Sequence, residues 1–109
     1  MNERLIKQWA ISEKLLSEAA LQVKDSEAFT ECMEFLSHNE LGLALETLGA
    51  EGEHHQVNAE YWHLLKKAAE VMGLKEEVKE FRRKRLLAHT SAVQQGIQAD
   101  GPASGGSAA

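Results

Sequence analysis

Apolar residues recur three and four positions apart through most of the first 90 residues, and the only proline is Pro102. Together these facts confine the chain to helices. A 3.6-residue period gives each segment one apolar stripe, and nothing before Pro102 locks φ or removes a backbone donor. Sustained period-two alternation, the mark of a half-buried strand, is missing, while the good helix formers Leu, Ala, Glu and Lys dominate. The expected fold is all-α: a small single-domain bundle of about five helices over residues 1–89. A flexible Ala/Gly/Ser-rich tail is expected over 90–109, since its composition offers little apolar surface to bury.

The stretch from Phe35 to Leu48, FLSHNELGLALETL, carries the densest signal. Leu41, Ala44, Leu45 and Leu48 share one stripe and predict the third helix. Its start has two readings. Ser37 and Glu40 stand at capping-box spacing, with Leu36 and Leu41 placed to staple around the box. Alternatively the second helix runs through His38 and Asn39 takes the left-handed position that follows a helix end. Either way the chain turns sharply between Ser37 and Glu40. Gly42 then costs the helix about 1 kcal/mol against Ala, and Leu43 points away from the stripe. Close helix packing at Gly42 and a second neighbour for Leu43 are the expected reasons, with a docking surface as the other possibility.

The remaining helices follow the same logic. Helix one is expected from Asn2 or Glu3 to Val23, burying Leu5, Ile6, Leu16, Ala20 and Val23, with Trp9 as a core anchor or, near a chain end, an interface residue. Asp25 or Ser26 begins helix two, whose stripe is Phe29, Cys32, Met33 and Leu36. Gly49 to Val57 reads as a loop. Helix four opens with Asn58 as cap and a staple between Val57 and Trp62, carries Tyr61, Leu65, Ala68 and Met72 inward, and closes at Gly73 in a Schellman motif. Helix five runs from Lys75 to about Ala88 on a thinner apolar side of Leu74, Val78, Phe81 and Leu86.

Charge is segregated. The formal net charge is -5, yet from Asp25 to Glu60 there is no Lys or Arg, and from Lys66 to Arg85 basic residues outnumber acidic ones. Glu27, Glu31 and Glu34 should form a negative ridge on helix two. Such a field steers a basic partner and repels nucleic acid. The run Arg82 to Arg85 invites a nucleic-acid reading, but it lacks aromatic platforms, and an intramolecular contact with the acidic middle serves as well.

No catalytic constellation emerges, and no cofactor is implied. Cys32, the sole cysteine, lies in an apolar stripe between acidic neighbours, which suits a small buried hydrophobe better than a thiolate nucleophile. His54 and His55 are adjacent and lack spaced ligand partners, so no metal site is expected. No apolar run approaches the roughly 20 residues of a membrane span, and the charged N-terminal stretch lacks the apolar region of a secretory signal, so the expected location is cytoplasmic.

At HNELGLALETL, residues 38–48, and again at Tyr61 and Met72-Gly73-Leu74, the chain resembles the MafI-like immunity proteins of bacterial polymorphic toxin systems. His38, Glu40, Gly42, Leu43, Ala44, Leu45, Glu46 and Leu48 match, whereas Asn39 replaces the usual Gly and Leu41 an aromatic. The resemblance implies a helical immunity protein that is not an enzyme and that neutralises a cognate toxin domain by stoichiometric occlusion. Combined with the charge pattern, it points to a basic toxin, such as a nuclease, met by Glu31, Glu34, Glu40, Glu46, Glu51 and Glu53, with Leu43 as apolar anchor. A helical adaptor built from tetratricopeptide-like hairpins is the alternative, although no clean 34-residue repeat recurs.

Overall fold

The structure, a computed structural model, describes residues 3–100, with side chains to residue 90. Among the described residues the chain forms α1 (Glu3–Ala20), a 3-10 turn (Leu21–Val23), α2 (Glu27–Ser37), α3 (Leu41–Glu51), α4 (Ala59–Met72) and α5 (Lys75–Asp100), and no strand. Helix α4 is the axis. It packs against α1 on one side and α5 on the other, while α2 pairs with α3, and α3 in turn touches α1 and α4.

Side-chain chemistry at each boundary explains where the elements stop. Asn39 adopts φ 58°, its N–H donates to Leu36 O at 3.0 Å and that of Glu40 to Phe35 O at 2.8 Å. This is the bonding of a Schellman motif, so the second of the two sequence readings holds. The capping box does not form: Glu40 precedes α3 without a side-chain cap, and Ser37 Oγ instead donates to Glu34 O at 2.6 Å. The same device closes α4, where Gly73 has φ 76° and the N–H groups of Gly73 and Leu74 reach Glu70 O and Ala69 O. Asn58 caps α4 through Tyr61 N at 3.1 Å. Gln22 in the 3-10 turn holds that cap in place, its amide donating to Asn58 Oδ1 at 2.8 Å while its oxygen accepts from Asn58 N at 3.2 Å.

The core is Leu16, Val23, Cys32, Leu45, Leu48, Tyr61 and Leu65 with their small neighbours, and Phe81 closes it from α5. Tyr61 is fully buried, and its hydroxyl donates to Leu48 O at 2.5 Å. Burial pushes that phenol's pKa up, and nearby Cys32 and Glu51 add to the shift. Trp62 meets the Tyr61 ring edge-on at 5.3 Å and stacks on Phe81 at 6.0 Å, linking α4 to α5. Cys32 is buried as expected, and desolvation raises its thiol to about 11.

Several expectations are corrected. Trp9 is no core anchor: it is 40% exposed, with Leu5 and Ile6 similarly open, because the close cover of α1 is confined to its second half, at Ser12, Leu16, Ala19 and Ala20. Ser12 is buried there instead. Leu43 and Leu86 face outward, and Met33 is only partly covered. The loop begins at Gly52 rather than Gly49, since α3 continues to Glu51. A Cβ at Gly52 would lie 2.5 Å from Trp62, so the close-packing glycine is this one, while a Cβ at Gly42 would meet nothing within 4 Å. Helix α5 extends to Asp100 rather than Ala88, as no residue from Thr90 onward forbids helix before Pro102. Residues 101–109 of the expected tail lie outside the described residues.

The two glycines therefore separate in a stability measurement. Gly52→Ala should cost about 1–3 kcal/mol by overpacking, whereas Gly42→Ala should gain up to about 1 kcal/mol of helix propensity. Tyr61→Phe should cost about 1 kcal/mol, the worth of one buried hydrogen bond. Urea titration followed by circular dichroism reads all three.

Candidate protein-binding groove

The stripe of α3 that faces α5 is spaced i, i+3, i+4, i+7 and i+8: Gly42, Leu45, Glu46, Gly49 and Ala50, with Glu53 one turn beyond. Glycine and alanine leave the helix surface low there. Across from it, α5 presents Glu77, Glu80, Phe81 and Lys84, again at helical spacing. The result is a groove of about 410 Å³ with an apolar floor of Leu45, Leu74 and Phe81. A Cβ at Gly49 would come within 3.3 Å of the Phe81 ring, so this glycine sets how closely α3 approaches α5.

The rim is acidic. Four carboxylates, Glu46, Glu53, Glu77 and Glu80, line the groove against one cation, Lys84. The ammonium of Lys84 bonds Glu53, stands 3.6 Å from Glu80, and lies 5.0 Å from the centre of the Trp62 ring. Burial lowers the pKa of this ammonium, and the π face and the carboxylates replace part of its lost hydration. The intramolecular contact expected between the basic run and the acidic middle is thus made, by Lys84. Arg83 pairs with Glu80 from the solvent side at 2.7 Å. Glu46 and Glu77 are engaged by no cation in this groove and carry its open negative end.

Of the seven residues singled out in the sequence, Glu46 and Glu53 line this groove. Glu51 is turned to His55, 2.6 Å away. Glu31, Glu34 and Glu40 are exposed on α2 and at the corner, outside the groove, and Leu43 is exposed beside Gly42. Sequence reasoning missed Glu77 and Glu80. Their signal was present, because Glu77, Glu80, Phe81 and Lys84 fall at i, i+3, i+4 and i+7, but the two carboxylates were weighed only in the charge balance of a stretch where basic residues outnumber acidic ones. Among the described residues no cluster of three or more His, Cys, Asp or Glu side chains is arranged to hold a metal ion. Nor is any described helix long and apolar enough to cross a membrane.

His63 lies on α4 near the same basic run, its Nδ1 buried without a hydrogen-bond partner. Burial and then the charges of Arg85 and Lys66 lower its pKa from 6.5. The neutral ring is therefore favoured in the folded chain, so its contribution is intact above that ordinary value and is lost as pH falls through the lowered one. Chemical denaturation between pH 7 and 5 should show declining stability, and His63→Leu should flatten the decline.

No known protein family, curated protein or solved structure matches the chain.

Proposed function

We propose that this chain is an immunity protein that neutralises a cognate, basic toxin domain by occupying its cationic surface in a stoichiometric complex. The observation that carries this reading is the groove between α3 and α5, whose four carboxylates stand over an apolar floor with a single internal cation among the lining residues. Carboxylates so placed pair with the Lys and Arg groups that a nuclease uses to hold phosphates, and Arg in particular takes a carboxylate in a bidentate fork. The apolar floor adds contact area that simple charge attraction lacks. Neutralisation is by occlusion and needs no turnover. The resemblance of residues 38–48 to the MafI-like immunity proteins supports the same assignment, because Gly42, Leu45 and Glu46 of that stretch lie on the groove.

Co-expression with the C-terminal domain of the protein encoded immediately upstream tests the reading. Wild-type chain should restore growth. Glu46→Lys with Glu77→Lys should weaken association about tenfold or more at low salt and reduce its salt dependence, with unchanged helicity. Full protection by the double variant would remove the groove from the mechanism. A neighbour that is harmless, or that kills equally well beside this chain, would remove the immunity role and favour the helical adaptor.

A further inference from the structure

The four carboxylates of the acidic groove are not equivalent, and the register of its two walls shows why. Gly49 of α3 stands beside the Phe81 ring of α5, and one turn further along, Glu53 is bonded by Lys84. Both walls thus advance in the same direction along the groove. One turn before Gly49 and Phe81 come Glu46 and Glu77, and one turn before those come Gly42 and Leu74, all lining the same space. Glu46 and Glu77 therefore stand on opposite walls at one level, and Gly42 with Leu74 marks the end of the groove.

The two ends differ in how they are filled. At the Glu53 end the Lys84 ammonium bonds Glu53, lies 3.6 Å from Glu80 and faces the Trp62 ring, and its side chain is only 15% exposed. The indole beneath it is held in turn, edge-on to Tyr61 and stacked on Phe81. Lys84 fills that end with a cation of the chain's own. At the other end Glu46 and Glu77 enter no ion pair among the described residues. Gly42 puts no side chain in the mouth there, and Leu45 and Leu74 leave the floor apolar. Two like charges across such a floor repel, and one cation between them relieves both.

The cation that suits this level is a guanidinium. Its donors lie on more than one edge, so carboxylates on two walls can be served at once, and it is more weakly hydrated than an ammonium, which eases its transfer onto an apolar floor. Its methylene stem finds apolar cover on Leu45 and Leu74. Resting on the function proposed above, we infer that the groove takes one arginine side chain of the partner, entering past Gly42 and seated between Glu46 and Glu77, while Lys84 is a resident plug that closes the Glu53 end to a second. The plug makes the groove select a single well-placed arginine over a mere run of positive charge.

The test titrates the full ¹⁵N-labelled chain with n-butylguanidinium, which reproduces the arginine side chain, and with guanidinium and n-butylammonium for comparison. n-Butylguanidinium should shift the amides of Gly42, Glu46 and Glu77 and leave the Trp62 indole N–H in place. Guanidinium, which lacks the stem, should bind about fourfold more weakly, the worth of one buried methylene, and n-butylammonium about fivefold more weakly, the worth of one net hydrogen bond. Glu77→Gln should weaken n-butylguanidinium about fivefold with helicity unchanged. In Lys84→Met, which keeps an apolar stem over Trp62, and in Lys84→Gln, the same probe should also shift the Glu53 amide and the Trp62 indole N–H. Shifts at the Trp62 indole in the wild-type chain, their absence in both Lys84 variants, equal binding by n-butylammonium, or no shift at Glu46 and Glu77 each overturns the inference. Growth rescue alongside any of those results leaves the immunity role standing without this seat. Probe binding as expected, without rescue, keeps the arginine seat and removes the toxin as its source.

Discussion

The junction between the end of α3 and the start of α4 holds the rest of the molecule in place. Tyr61 reaches from α4 to the Leu48 carbonyl, Gly52 lets the Trp62 indole press against the chain at the end of α3, and Trp62 then stacks on Phe81. Through these contacts three helices fix one another's spacing around a residue with no side chain. A methyl group at Gly52 would open the junction, and every surface built from α3 and α5 would move with it. The Gln22–Asn58 pair ties the 3-10 turn that follows α1 to the same helix, so α4 is secured both at its first turn and along its length.

Which parts of this were legible in the sequence follows from what determines each part. Asn58, Gly73 and the apolar stripes of α2 to α4 were readable because caps and stripes are local, set within a turn or two of chain. Trp9 was misjudged because its stripe is real but only the second half of the helix is closely covered, and the extent of cover is a property of the assembled bundle. The close packing expected at Gly42 belongs to Gly52 for the same reason: only the position of Trp62 distinguishes a glycine that makes room from one that faces open space. The corner at Asn39 could be framed as two alternatives, since backbone conformation and side-chain capping offer different solutions to the same unpaired groups.

The candidate site divides similarly. An acidic middle segment was evident from charge alone, but a groove needs two walls, and the second wall came from the helix read as basic. Lys84 explains how both descriptions hold. It leaves the cationic run to bond Glu53 and rest on Trp62, and two α5 carboxylates, Glu77 and Glu80, line the groove opposite α3. Segregated charge along the sequence becomes, in the folded chain, an interdigitated surface.

Cys32 carries a practical consequence. The chain's only thiol is buried and held protonated well above neutral pH. A cysteine placed at an exposed position, such as Glu46 on the groove or Trp9 on α1, would be the sole reactive sulfur in the folded protein. The native chain thus offers a silent background in which a fluorophore or spin label reports on the groove or on α1 separately, without first removing a residue from the core.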